Sequence, residues 1–364
     1  MKGIRRVRGR ALLVTAVALE LTAGCSNGGG VANAARPEKP VLNVAVVPAV
    51  DSAGFFVALD RGLFKAQGLT VNFVPVSSSE TAIANQVAGA YDITGGNYVS
   101  YIQAQQAHRA NLDIFAEGSV MEPGTQGIYT LPDSPVANLG DLKGQTVAIN
   151  APDNILFLLT ASVLAEHGVS PRSVHFASIP SPEMTGELKS AAVSAAVMPE
   201  PYASGAEEAQ GGVPLADLNQ GATTNFPVEG YVVTKKWAAE HPRTLAAFYR
   251  ALEQGQRIAD VSRAAAEQAM VDMPAPFGVS AETAAVMALD SYPVSTGPVG
   301  SVDKIRLQRV VDVMRQFLGF GNFRHRLDAD GQRLSGRWLI LPAEVHGGEN
   351  ACLTAGDPVA GAVT

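Results

Sequence analysis

Residues Leu42 to Val76 read LNVAVVPAVDSAGFFVALDRGLFKAQGLTVNFVPV, and this stretch decides the fold class. Leu42 to Ala49 is an apolar run with the length and β-branched content of a buried strand. In Phe55 to Gln67 the residues Phe56, Leu59, Leu63 and Phe64 recur at helical spacing, and Thr70 to Val76 returns to a strand pattern. Strand, helix and strand in that order make a βαβ unit, in which the helix carries the chain back so that the strands can pair in parallel.

The same alternation continues outward. Further strands are expected at Leu112 to Ala116, Gly127 to Leu131, Thr146 to Asn150, Val174 to Ile179, Ala195 to Met198 and Tyr231 to Thr234. Helices are expected at Ile83 to Ala90, Val99 to Ala107 and Asn154 to His167. From His241 the pattern becomes helical over Pro242 to Asp260, Val261 to Asp272, Ala281 to Ser291 and Val302 to Leu318. This is an α/β chain with largely parallel sheets, long enough for more than one lobe. Residues 324–364 are Gly-rich and irregular apart from Trp338 to Leu341, and are read as a loosely packed tail.

The N-terminus is targeting rather than fold. Lys2, Arg5, Arg6, Arg8 and Arg10 precede the apolar run Ala11 to Leu19, too short for a membrane span but of signal-peptide length. The junction Leu21-Thr22-Ala23-Gly24-Cys25 resembles the lipobox of bacterial lipoproteins, although Glu20 and Thr22 depart from its usual pattern. The resemblance implies cleavage after residue 24 and a lipid on Cys25. Residues 25–41 carry Gly, Ala, Asn and Ser without an apolar period, the composition of a flexible tether. Removing residues 1–24 takes away five positive charges and one negative, so the formal net charge goes from -7 to -11. An acidic body without a Lys/Arg cluster argues against nucleic acid as a partner. With Cys25 acylated, Cys352 has no partner for a disulfide and no zinc-ligand set is present.

Several motifs in order carry a second resemblance: Ala58 to Leu69 ("ALDRGLFKAQGL"), the strand ending "VNFVPV", Ala88 to Gly96 ("AGAYDITGG"), Asn138 to Ile149 ("NLGDLKGQTVAI") and Pro199-Glu200-Pro201-Tyr202. Together they resemble periplasmic solute-binding proteins of the sulfonate, nitrate, taurine and thiamine-precursor group, over roughly residues 42 to 320. Ser190 to Ala196 lacks the Gly and Asp that group usually carries before its "EPY" segment. The resemblance implies the type II periplasmic binding protein fold: two lobes joined by two crossing segments, a ligand cleft between them, no cofactor, and a monomer that hands a small-molecule solute to an ABC permease at the outer face of the cell membrane. On this reading residues 42–134 and 229–323 form lobe 1 and residues 135–228 form lobe 2, with the chain leaving near Leu131 to Pro135 and returning near Glu229 to Thr234.

Ligands of open α/β sheets sit beyond the carboxyl ends of the strands, among helix N-termini. That rule selects Asp51, Ser52, Ser78, Ser79, Asn97 and Tyr98 from lobe 1, and Asn150, Asp153, Asn154, Glu200 and Tyr202 from lobe 2. Individually each also fits a plain cap, turn or packing role. Gly95-Gly96 reads as a tight turn. Three of the selected residues are acids and none is Lys or Arg, so the expected solute bears an N–H donor. Two rival classes are a receptor that passes its closed form to a membrane sensor, and an enzyme related to yeast thiamine-precursor synthases. The enzyme is disfavoured by the lack of a cysteine-rich segment, of metal-ligand spacing among the six histidines, and of a nucleophile elbow.

Overall fold

The structure, a computed structural model, describes residues 36–294 and 302–318. The chain opens with β1 (Val41–Val46), α1 (Ala53–Asp60), α2 (Leu63–Ala66), β2 (Thr70–Pro75), α3 (Ser79–Val87), β3 (Ile93–Asn97), α4 (Tyr98–Gln106) and β4 (Leu112–Val120). It continues through β5 (Gln126–Thr130), β6 (Thr146–Ile149), α5 (Ile155–Glu166), β7 (His175–Ser178), α6 (Ser181–Lys189), β8 (Ala195–Pro199), α7 (Tyr202–Gln210) and β9 (Val213–Asp217). It closes with β10 (Pro227–Thr234), α8 (Lys235–Glu240), α9 (Pro242–Val261), α10 (Arg263–Val271), α11 (Ala281–Val286) and α12 (Lys304–Phe317).

These strands form two five-stranded sheets, β2-β1-β3-β10-β4 and β7-β6-β8-β5-β9. In each, three strands run parallel as the βαβ pattern requires: β1 with β2 and β3, and β6 with β7 and β8. The first strand after each crossing then enters a sheet antiparallel to its neighbours, β5 between β8 and β9, and β10 between β3 and β4. The crossings are therefore residues 121–125 and 218–226, and they are tied together by the Met121 N–H to the Phe226 carbonyl at 2.9 Å.

This corrects the expected lobe boundaries. Gly127 to Leu131 reads correctly as a strand, but it pairs in the second sheet, so the first crossing precedes it and Pro132 and Pro135 bound a later turn. The return likewise comes before Pro227. A strand's sequence records its period and burial, not its partner. The single helix expected over Phe55 to Gln67 is split at Gly62, whose φ of 65° lies in the left-handed region. β3 and β9 have no counterpart among the expected strands. Residues 36–41 of the expected tether are fixed to the first lobe: Glu38 accepts from Thr244 N and Oγ1 at 2.8 and 2.9 Å, and Lys39 reaches Asp92 at 2.5 Å. Cys25, the leader and residues 324–364 lie outside the described residues.

One face of the first sheet packs against α1, α2 and α9 through Phe55, Phe64, Phe248 and Leu252, all buried. Its other face carries α4, and a single apolar cluster runs from Val99 and Ile102 of α4 through Leu307, Val310 and Met314 of α12 to Leu159 and Val163 of α5. Helix α12 thus packs on both lobes. Its Arg309 donates to the carbonyls of Ala222 (2.9 Å), Thr224 (2.5 Å) and Asn225 (3.0 Å) in the second crossing. The "lobe 1" reading of its sequence is accordingly too narrow.

Candidate functional site

A cleft of about 30 Å³ opens where the carboxyl ends of the strands meet. Lobe 1 contributes Ala49 and Asp51 beyond β1, Ser79 at the start of α3, and Gly96 and Asn97 at the end of β3. Lobe 2 contributes Asn150 beyond β6, Ile155 and Leu156 opening α5, Ser181 opening α6, and Pro199 ending β8. The entering strands supply Gln126 and, from β10, Val228 and Glu229. One water needs about 10–15 Å³ in such a space, so the cleft as it stands admits only a group of a few heavy atoms. Hydrogen bonds hold it shut across the lobes: the Val50 N–H to the Glu200 carbonyl (2.9 Å), the Tyr202 hydroxyl to the Pro48 carbonyl (2.8 Å), Gln126 Nε2 to Asp51 Oδ1 (3.2 Å) and Gln103 Nε2 to the Asp153 carbonyl (2.7 Å).

Of the residues selected from sequence, Asp51, Ser79, Asn97 and Asn150 line this cleft. The others are placed around it. Ser78 caps α3 by accepting from Thr81 N at 3.3 Å, and Asn154 caps α5 and donates to Asn150 Oδ1 at 2.5 Å. Ser52 stands behind the floor, its hydroxyl 2.8 and 2.7 Å from the Glu229 carboxylate oxygens. Tyr98 is buried in the core under Gly230. Asp153 is exposed at a φ of 54°. Glu200 turns from the cleft to accept from Ser204 N (3.0 Å), Ser204 Oγ (2.7 Å) and Ala288 N (3.3 Å), and Tyr202 reaches across the lobes instead of inward. In these cases the side chain satisfies nearby backbone or core, the plain role that each residue type also fits.

Glu229, Gln126 and Ser181 are the polar lining residues missed in the sequence. Glu229 had a legible signal: it is the one charge inside the apolar run PVEGYVV. Gln126 opens a strand and carries none. Gly95-Gly96 is a strand, not a turn. A methyl at Gly95 would meet the Tyr231 ring at 2.7 Å and one at Gly96 would meet the Ser79 hydroxyl, so glycine here permits close approach of α3 and β10.

Residues 35–273 match the model of the NMT1-like family. The chain belongs to the NMT1-like family. It is also 28% identical, over 234 residues, to the bicarbonate transport ATP-binding protein CmpC of Synechocystis; the match takes in 59% of this chain and spans about a third (34%) of the length of that relative. The NMT1-like fold resembles the alkanesulfonate-binding protein SsuA from Xanthomonas axonopodis pv. citri bound to MOPS, with a TM-score of 0.65 and 17% identity over 78% of this chain and 96% of that one. It also resembles the nitrate-binding protein NrtA from Synechocystis, with a TM-score of 0.59 and 17% identity over 68% and 69% of the two chains. These likenesses establish the two-lobe periplasmic binding protein fold.

The floor of this NMT1-like cleft is acidic. Burial pushes the Glu229 carboxyl up to about 7, with Ser52 and Tyr231 hydrogen bonds restraining the rise. Burial also lifts Asp51 to about 6, where a hydrogen bond with Asp290 opposes the rise and the charge of Glu229 adds to it. Asp290, 5% exposed, faces the Asp51 carboxyl; burial and the Asp51 charge raise it, and hydrogen bonds with Thr125 and Ser119 restrain the rise. Two buried carboxyls that face each other oppose each other's ionisation, and both are raised. Among the described residues no Lys, Arg or His lines the cleft. Among the described residues no group of three His, Cys, Asp or Glu could hold a metal ion, and no helix is long and apolar enough to cross a membrane.

Proposed function

We propose that this protein is the extracytoplasmic substrate-binding component of an ABC importer, held to the membrane by a lipid on Cys25, capturing a small organic solute in the cleft and presenting the closed form to a permease. The observation that carries the reading is the cleft itself, built from both lobes at the carboxyl ends of their strands and bridged by direct hydrogen bonds. A ligand that touches both walls binds the closed form better than the open one and shifts the population toward it. Ser79, Asn97 and Asn150 supply directional polar contacts, and Ile155, Leu156, Val47 and Val228 supply an apolar wall. The membership in the NMT1-like family and the likeness to a bicarbonate-transport component support an import role.

The test is a melting-temperature screen over sulfonates, taurine, nitrate, bicarbonate and pyrimidine precursors, followed by small-angle scattering with any compound that stabilises. A true ligand at a hundred times its dissociation constant stabilises by about 2.7 kcal/mol and shrinks the radius of gyration. A stabilising compound that leaves the radius unchanged would place binding outside the cleft. The anchor is tested separately: Cys25→Ser is expected to move the protein from the membrane fraction to the soluble one, and unchanged fractionation would refute the lipid.

A further inference from the structure

The chemistry of the cleft floor is specific beyond its general role. Gln126 is fully buried and lines the cleft; its Nε2 is committed to Asp51 at 3.2 Å, which leaves its Oε1 as an acceptor without a partner. Asp51 lines the cleft beside it and Glu229 stands on the same floor, already bonded to Ser52. The charged and titratable groups around them include Asp290, Asp260, Glu117, Tyr98, Tyr101, Tyr231 and Tyr292. Among the described residues the cation in these surroundings is Arg306, 3.1 Å from Glu117. The floor therefore offers acceptors and negative charge without a counter-ion. Of the helix N-termini facing it, those of α3, α4 and α5 each have one first-turn N–H taken up by Ser78, Asn97 and Asn154, while α6, opened by Ser181, has no side-chain cap.

We propose that this floor, Asp51 with Gln126 and Glu229, receives a protonated nitrogen of the solute, an ammonium or amidinium group, and that this contact sets the specificity of the site. The proposal rests on the cleft being the solute site. An N–H donor satisfies the idle Gln126 acceptor, and its charge replaces the counter-ion that Asp51 and Glu229 lack. Binding would then draw the proton out of the Asp51–Asp290 pair, so affinity is expected to rise with pH as that pair and Glu229 ionise.

Matched pairs that exchange ammonium for hydroxyl test this: taurine against isethionate, glycine against glycolate, and ethanolamine against ethanediol. Each is measured by calorimetry and melting temperature at about pH 5 and about pH 8. The amine member is expected to bind at least tenfold tighter in every pair that binds, more so at the higher pH. Asp51→Asn is expected to remove that preference, while its circular dichroism and apo melting confirm a folded chain. If Asp51→Asn fails to fold, the pH dependence of the wild-type preference decides alone. Equal or tighter binding of the hydroxyl member overturns the proposal but leaves the cleft as a solute site. If none of the six compounds binds, the protonated-nitrogen assignment falls, and the solute-site reading then stands or falls on the wider screen above.

Discussion

A carboxyl buried as deeply as Glu229 ties stability to pH. Below about pH 4.5 it is protonated in both the folded and the unfolded chain and nothing is lost. Between 4.5 and its folded value of about 7 the unfolded chain ionises first, so stability falls as pH rises, by about 3 kcal/mol once both limits are passed. Asp51, lifted to about 6, acts in the same direction. Glu38 acts oppositely. Burial alone would raise it, but N–H donors from Arg243 and Thr244 hold it down to about 2, so its contribution is present above about pH 4.5 and is lost as pH falls toward 2. On these three groups the apo protein should be most stable near pH 4. Urea midpoints for Glu229→Gln should fall less between about pH 5 and 8 than those of wild type, because the amide keeps a Ser52 contact without ionising. A variant with the full wild-type decline would show that Glu229 is not the group responsible. The acids of the cleft floor were only partly legible from sequence: Asp51 was, whereas Asp153 and Glu200 share its residue type and strand-end position yet point elsewhere. The difference lies in which backbone N–H groups happen to be within reach, and that is a tertiary fact.

At the level of elements, β3 and α3 meet through glycine. Ser79 Oγ accepts from both the backbone N–H and the side-chain amide of Asn97, each at 3.0 Å, and Gly96 makes room for that hydroxyl. Gly96→Ala pushes Ser79 aside and strains the site's polar wall, with an expected loss of about 1–3 kcal/mol in stability. Solute affinity should drop with it. Adding Ser79→Ala to Gly96→Ala should restore part of the stability but not the affinity, since the contacts that orient Asn97 are gone. Chemical denaturation and calorimetry on the single and double variants read the two effects apart. Full recovery of affinity in the double variant would mean that Asn97 needs no support from Ser79. The sequence at Ile93 to Asn97 gave little sign of a strand because its two glycines mimic a turn; they are there because two neighbouring elements approach too closely for any side chain.

For the whole molecule, a few cross-lobe hydrogen bonds and the packing of α12 on both lobes hold the lobes together, and the proposed closure would rest on them. Each such bond contributes about 0.5–1.5 kcal/mol net. Tyr202→Phe removes only the hydroxyl that reaches Pro48, so it should favour the open form roughly fivefold, weaken solute binding by a similar factor, and leave the global melting temperature nearly unchanged. Scattering on the apo protein should give a larger radius of gyration than wild type. An unaltered radius and affinity would show that the Tyr202 contact is neutral to closure. Arg309→Ala acts at the hinge instead: three carbonyls of the second crossing lose their donor, and amide exchange over residues 218–226 should quicken while the cleft residues stay unchanged.

The sequence by itself determined the α/β class, the order of most elements and the crevice at the strand ends, because apolar period and strand-helix alternation are local properties. The order of motifs further pointed to the family and hence to two lobes. Only the tertiary structure decided that β5 and β10 each insert antiparallel just after a crossing, that α12 belongs to both lobes, and that Glu229 and Gln126, separated by a hundred residues of chain, share one floor with Asp51. Strand partners, and the neighbours that lift a carboxyl or leave an amide oxygen unpaired, are set by which surfaces meet when the sheets close. No residue's own neighbourhood in the sequence contains that information.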